Sequence, residues 1–182
     1  MSCVRAQETA QRTSRLRRDR RMGWDFKVNG GRMDAQQTIH ELRLEPHPEG
    51  GSYRETFRST QRVTLADGRV RSAGTAIYYL LRPGEFSQFH RIPACEVWHH
   101  YDGGPLLLHQ LGVGTVRLDE KNPQAFVRAG AWQAAEPVGE AVLCGCTVSP
   151  GFEFEDLEFA HVSDVLRLFP KEADLIRRLC RD

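Results

Sequence analysis

The chain has 182 residues, of which 40% are apolar and 27% charged, so it is long enough for one ordinary domain with a core of its own. No stretch approaches the roughly eighteen apolar residues of a membrane-spanning helix, and the arginine-rich beginning lacks the apolar region of a signal peptide. The five cysteines include no Cys-x-x-Cys pair. Reduced thiols are therefore expected, and with them a cytoplasmic protein that does not contact membranes.

Basic residues are concentrated at the beginning of the chain. Residues 1–32 hold nine Lys or Arg and three Asp or Glu, although the net charge of the whole chain is only +1. Such an arm can bind nucleic acid or direct a protein to an organelle, but this one has almost no apolar periodicity. We therefore predict a disordered basic N-terminal extension over residues 1–33, an ordered domain over 34–182, and no nucleic-acid partner.

The ordered domain is predicted to begin with one short helix and a turn. Asp34 suits the N-cap, Gln37 occupies the capping-box position, and Pro46 ends the helix. Residues 47–51, HPEGG, form a turn, because proline fixes one φ angle and the paired glycines permit positive φ angles.

Two strands are predicted next. Residues 52–59 alternate, which places Tyr53, Glu55 and Phe57 on one face. Glu55 either reaches a pocket or pairs with an arginine at the sheet edge, and the pattern leaves both interpretations open. The apolar run 75–81, TAIYYLL, is typical of a strand that is buried on both faces.

The densest cluster of polar and aromatic residues lies in residues 84–104, GEFSQFHRIPACEVWHHYDGG. Pro93 separates two predicted strands there, 86–91 and 95–101. The period of two places Glu96, Trp98 and His100 on the same face. This face is the better pocket lining, because an acid beside a large flat aromatic suits sugar-like or heterocyclic ligands.

The rest of the chain continues the strand pattern and ends in helices. Further strands are predicted over 106–111, 112–119, 125–127 and 141–148, and helical spacing begins at Val162. Eight to ten short strands separated by turn signals predict an all-β fold, an antiparallel sandwich or barrel, with short flanking helices. A barrel of this size can hold one small ligand in its mouth.

The spacing of Gly84, His90, Glu96 and Gly103 resembles the first motif of the cupin superfamily. Residues 128–133, RAGAWQ, partly resemble the second motif. A closer resemblance, to a subgroup of small single-domain cupins, spans about residues 39–160 and is carried by the segments HPEGG, YRET, GEFSQFHR, EVWHHY, AGAWQ and GCTVSPGFEFEDLEFA. It implies a cupin jelly roll, a double-stranded β-helix barrel, in a protein that forms a homodimer.

The resemblance also implies where a metal would bind. Metal-binding cupins use two histidines and the glutamate of the first motif and one histidine of the second, but Ile92 and Gln133 stand at two of these positions. Two remaining donors and an amide oxygen make a poor site for zinc, iron or manganese. We therefore predict no cofactor; the ligands of any metal would be His90, Glu96 and Gln133.

Without a metal, a histidine beside a glutamate in a partly apolar barrel suits acid–base chemistry. The chain is similar in this respect to metal-free cupins of the sugar-nucleotide epimerase type. We predict a metal-independent isomerase or epimerase acting on a small polar metabolite of the sugar or nucleotide-sugar class, with His90 as base and Glu96 as its orienter or partner acid. The alternatives are a non-catalytic small-ligand binding module and a metal-dependent dioxygenase or decarboxylase. The predicted ligand-binding residues are Tyr53, Glu55, Trp98, His100, Trp132 and Gln133.

Overall fold

The computed structural model describes residues 33–181. The predicted basic extension over 1–33 lies outside these residues apart from Met33, as does Asp182 of the predicted domain. In chain order the elements are α1 Ala35–Leu42, β1 Glu45–Pro46, β2 Ser52–Arg58, β3 Arg62–Thr64, β4 Val70–Ser72, β5 Thr75–Leu81, β6 Ser87–Arg91, β7 Cys95–Gly103, β8 Leu106–Gln110, β9 Gly114–Leu118, β10 Gln124–Val127, β11 Gln133–Pro137, β12 Val142–Ser149, β13 Glu158–Phe159, α2 Val162–Leu168 and α3 Ala173–Leu179.

Two antiparallel sheets form the body of the molecule. The first has six strands in the order β1-β2-β5-β12-β7-β10, and the second has five in the order β13-β6-β11-β8-β9. Strands β3 and β4 form a separate antiparallel pair. Neighbours in a sheet are mostly distant in sequence, as in a rolled sheet rather than a meander. The prediction of an all-β fold with short flanking helices is confirmed.

The interior lies between the inner faces of the two sheets. Strand β5 contributes Tyr79 and Leu81 to it, and β7 contributes Trp98. Leu106 and Leu108 of β8 reach the same cluster from the second sheet. Alternate residues of each strand therefore point inward, as the period of two requires.

The helices cover the outer faces of the sheets. Leu80 of β5 packs against the side of α1 that carries Ile39, so β5 is buried on both faces as predicted. On the outer face of the second sheet, Phe89 packs with Ile176 and Leu179 of α3. Within residues 33–181 no helix is both long enough and apolar enough to cross a membrane.

Helix α1 begins where the sequence predicts and ends earlier. The side chain of Asp34 accepts a hydrogen bond from the backbone N–H of Gln37 at 3.0 Å, which is an N-cap. The helix stops at Leu42 because Arg43 adopts a left-handed conformation with φ 52°. Pro46, the predicted end of the helix, already belongs to β1.

Candidate active site

A cavity opens inside the barrel against the inner face of the six-stranded sheet. Its volume is about 670 Å³ when the space at its mouth is included. Strands β2, β5, β7 and β12 form its floor, and two connecting segments, 47–49 and 152–154, close its sides. The lining residues are His47, Glu49, Tyr53, Glu55, Arg58, Thr75, Ile77, Tyr79, Glu96, Trp98, Cys146, Val148, Phe152, Glu153 and Phe154.

The turn HPEGG fixes Glu49 at the wall of this cavity. Gly50 has φ 117°, and a Cβ atom there would lie 2.2 Å from the carbonyl oxygen of Phe86, so only glycine fits. The backbone carbonyl of Glu49 accepts hydrogen bonds from the N–H of Gln88 and from the Arg181 guanidinium, both at 3.0 Å. With its backbone carbonyl held by these two donors, Glu49 is buried, at 7% exposure.

The carboxyl group of Glu49 has a pKa close to neutral pH. One oxygen, Oε2, accepts a hydrogen bond from the Ser87 hydroxyl at 2.8 Å, and the other, Oε1, lies 3.5 Å from Nε2 of His90. Burial raises the pKa of Glu49 to about 7, with the Ser87 hydrogen bond acting in the opposite direction. Near neutral pH this group can therefore both accept and donate a proton.

His47 is a neutral hydrogen-bond donor beside it. Its Nδ1 accepts the backbone N–H of Glu49 at 3.2 Å, which leaves the ring hydrogen on Nε2. Burial, and then the positive charge of His90, lowers the pKa of His47 to about 4. The ring packs edge-on against Tyr53, with the two ring centroids 4.5 Å apart.

His90 lies behind Glu49 and does not itself line the cavity. It is 2% exposed, and its Nδ1 lies 2.9 Å from the carbonyl oxygen of Gln88, so Nδ1 carries a hydrogen and donates it. Burial lowers the pKa of His90, while the Glu96 carboxylate and the Gln88 carbonyl raise it. The predicted pair of His90 and Glu96 is therefore enclosed, and Glu49 is a third member of the same centre.

Glu96 and Trp98 are joined through Gln133 on the opposite sheet. The Gln133 side chain is fully buried; its amide nitrogen donates to Oε2 of Glu96 and its oxygen accepts from Nε1 of Trp98 at 2.9 Å. Burial raises the pKa of Glu96, and the His90 charge and the Gln133 hydrogen bond lower it. Gln133 therefore fixes the orientation of both cavity-lining residues and does not line the cavity itself.

These donors do not fit the metal that the fold family implies. Gln133 turns its NH₂ group toward Glu96, and its oxygen is already engaged by Trp98. Ile92, at the position of another metal ligand, is a buried apolar residue. No group of three or more His, Cys, Asp or Glu in residues 33–181 is arranged to hold a metal ion.

Both interpretations of Glu55 apply. Its side chain lines the cavity and also forms a two-point ion pair with Arg58, whose Nη2 lies 2.8 Å from Oε2. Arg58 bridges onward to Glu153 at 2.6 Å. Phe57, predicted on the face of Tyr53 and Glu55, is 57% exposed, because β2 has a bulge between Glu55 and Phe57.

Besides Gln133, two further predicted ligand-binding residues do not line the cavity. His100 is buried on β7, but its Nε2 lies 3.0 Å from the carbonyl oxygen of Gly104, and it is no part of the lining. Trp132 packs on the outer face of the second sheet with Phe89, and the Arg91 guanidinium lies 4.5 Å from the centre of its ring. Trp132 is thus placed under the C-terminal helices rather than in a pocket wall.

The position of Trp132 predicts that its replacement changes the stability of the fold but not ligand binding. Trp132→Phe is expected to lower the free energy of unfolding by about 1–2 kcal/mol, because a buried ring loses part of its packing. Ligand affinity is expected to stay unchanged. Urea unfolding and a ligand titration on the same variant measure the two quantities, and a loss of affinity without a loss of stability would contradict this placement.

The sequence pattern does not single out several of the cavity residues. It assigns His47 and Glu49 only to a turn, although a carboxylate locked between proline and two glycines is a usable signal of a fixed side chain. Cys146 is missed as well; in the structure its thiol hydrogen-bonds Glu96, and burial raises its pKa. Nothing in the alternation distinguishes Cys146 from its neighbour Cys144.

A rolled pair of antiparallel sheets around an interior cavity with aromatic and acidic walls is the architecture of a jelly-roll β-barrel. The family model described as Cupin superfamily (DUF985) matches residues 36–160, and the chain belongs to that family. Among solved structures, it is similar to a protein of Shewanella oneidensis with 33% identity and a TM-score of 0.73, covering 82% of this chain and 98% of that one. A hypothetical protein from Leishmania major gives 29% identity and a TM-score of 0.75, covering 82% of this chain and all of that one. An uncharacterised protein of Saccharomyces cerevisiae is 29% identical over 156 residues, covering 72% of this chain and 78% of that one.

Proposed function

We propose that this cupin binds a small polar metabolite of the sugar or nucleotide-sugar class in the barrel cavity and isomerises or epimerises it without a metal. The observation that carries the proposal is the buried Glu49 carboxyl group at the cavity wall, with a pKa of about 7 and with the His90 imidazole 3.5 Å behind it. A carboxyl group with this pKa is suited to general acid–base catalysis at neutral pH.

The proposed step is a proton transfer at carbon. Ionised Glu49 takes the proton from a carbon next to a carbonyl group, and the electrons of the C–H bond move into the carbonyl to give an enolate. The neutral His47, which lines the same cavity, donates its Nε2 hydrogen to the enolate oxygen. In epimerisation, protonated Glu96, which lines the same cavity, delivers a proton to the opposite face of that carbon, and Glu49 keeps the proton it took. In isomerisation, Glu49 returns its proton to the former carbonyl carbon, while the proton of the hydroxyl group on the first carbon moves to the former carbonyl oxygen.

His90 and Glu96 act in this proposal as partners of Glu49. His90 does not line the cavity and lies 3.5 Å from Glu49, while Glu96 lines the cavity directly. The hydrogen bond from Gln133 holds the Glu96 carboxyl in place, and the Glu96 charge raises the pKa of His90. The group formed by Glu49, His90 and Glu96 can therefore hold a proton on a second residue while the substrate rearranges.

Exchange with heavy water tests the proposal across a whole class of candidate substrates. The full chain is incubated in D₂O with a panel of aldoses, ketoses and other hydroxy-carbonyl compounds, with and without a chelator, and deuterium at carbon is measured by NMR and mass spectrometry. Enzyme-dependent exchange into at least one compound is expected, unchanged by the chelator.

The other outcomes separate the alternatives. Exchange that the chelator abolishes and added metal restores would refute metal independence; metal-dependent uptake of oxygen or release of carbon dioxide would favour the metal-dependent dioxygenase or decarboxylase class. Saturable thermal stabilisation by a compound that is recovered unchanged and without deuterium would favour the non-catalytic binding module, because a cavity with aromatic walls serves binding as well as turnover.

A further inference from the structure

The charges around the cavity are unequal. Four carboxyl groups line it, those of Glu49, Glu55, Glu96 and Glu153, whereas its lining includes a single arginine, Arg58, and no lysine. The guanidinium of that arginine is already held by two carboxylates, at 2.8 Å from Glu55 and 2.6 Å from Glu153. A ligand with a phosphate or carboxylate group would meet an excess of like charge here.

The walls between these carboxyl groups are aromatic. The rings of His47, Tyr53 and Phe154 have centroids between 4.5 and 6.2 Å apart. Farther along the lining, the rings of Tyr79 and Trp98 lie 5.8 Å apart. The faces of aromatic rings carry negative electrostatic potential and attract cations, most strongly where water is excluded.

We infer that the ligand of this cavity is a small organic cation, an amine, a quaternary ammonium compound or an amino sugar, whose positive group sits between the aromatic rings and the carboxylates. The inference rests on the proposed function, since it concerns the same cavity, and it narrows the ligand class. An amino sugar satisfies both proposals. A nucleotide sugar does not, because no unengaged Lys or Arg among the lining residues can meet its diphosphate.

Pairs of compounds with the same shape and different charge test the inference. Choline is compared with 3,3-dimethylbutan-1-ol, in which carbon replaces the nitrogen, and glucosamine is compared with glucose, each by isothermal titration calorimetry on the full chain. The cationic member of each pair is expected to bind roughly tenfold more tightly, the size of one cation–π contact in a partly desolvated site.

A matched pair of variants assigns the preference to this cavity. Glu153→Gln removes one lining charge and leaves Arg58 paired with Glu55, so it is expected to weaken binding of the cations by about two- to fivefold. Glu158→Gln makes the same change in charge at an exposed glutamate of β13 that pairs with Arg91, and it is expected to leave the affinity unchanged.

Two results would overturn the inference. One is equal or tighter binding of the neutral member of both pairs; the other is a failure of both cationic probes to bind at millimolar concentration. Neither result bears on the deuterium exchange, which is a separate measurement, so the proton-transfer proposal would stand or fall on its own experiment.

Discussion

Replacing Glu49 by glutamine is expected to abolish proton exchange and, at the same time, to make the folded chain more stable above neutral pH. The glutamine keeps the shape of the side chain and an oxygen for the Ser87 hydroxyl, but it cannot take a proton from carbon. The rate of exchange is expected to fall by roughly 10²- to 10⁴-fold, the usual contribution of a positioned acid or base. The D₂O assay, applied to whichever compound the wild-type chain exchanges, measures this loss.

The gain in stability follows from the raised pKa. Because burial raises the pKa of Glu49 from 4.5 to about 7, the folded chain binds more protons than the unfolded chain between these pH values. The contribution of Glu49 to the free energy of unfolding of the wild-type chain is therefore fully present below pH 4.5 and is lost as pH rises to 7. The loss is about 3 kcal/mol, and it does not occur in the glutamine variant. Urea unfolding from pH 4.5 to 8 measures the difference between variant and wild type.

His47→Gln is the control, because its effect on the pH dependence of stability is expected to have the opposite sign. Because the pKa of His47 is lowered from 6.5 to about 4, the folded chain binds fewer protons than the unfolded chain in that interval, and this group adds stability as pH rises. Relative to wild type, the His47 variant is expected to lose about 3 kcal/mol between pH 4 and 6.5. Parallel pH profiles for both variants and the wild-type chain would contradict the assignment of these two groups.

His90→Ala is expected to reduce both exchange and stability. The ring is almost completely enclosed, so its removal leaves a cavity and takes the hydrogen bond from the Gln88 carbonyl. The expected loss is about 2–4 kcal/mol in the free energy of unfolding. Glu49 and Glu96 would also lose the imidazole that they share, and exchange is expected to fall by at least roughly tenfold.

His109→Ala separates these two effects. His109 is likewise buried, at 4% exposure, but its ring nitrogens contact Thr115 at 2.8 Å and Glu136 at 3.1 Å, and none of these residues lines the cavity. This variant is expected to lose comparable stability and to keep wild-type exchange per folded molecule. If His90→Ala retained exchange as well, His90 would have no part in the chemistry.

Much of the fold follows from patterns that are local in sequence. Continuous apolar character in residues 75–81 arises because α1 covers the outer face of β5 while the barrel interior takes the other. The period of two places Glu96 and Trp98 on the inner face of β7, and both line the cavity. The short strands β1, β3, β4, β11 and β13 escape prediction, since two to five residues without strict alternation carry little signal.

The centre of the site depends on contacts that alternation does not encode. Glu49 lies within a turn, and only its packing under Ser87 and His90 shows that it is enclosed. Trp132 carries a partial match to the second motif, but the hydrophobic cluster under the C-terminal helices takes its ring to the outer face of the sheet. A bulge within β2 exposes Phe57, and the position of such a bulge in a strand cannot be predicted from residue type alone.

The most direct measurement is the titration of the Glu49 carboxyl group itself. The full chain is labelled with ¹³C at the glutamate side-chain carboxyl, the Glu49 signal is assigned by its absence from the Glu49→Gln spectrum, and its chemical shift is followed from pH 3 to 9. A pKa of about 7 is expected, set by burial of the carboxyl group. A signal that titrates near 4.5, the ordinary value for glutamate, would contradict a buried acid–base group in this barrel.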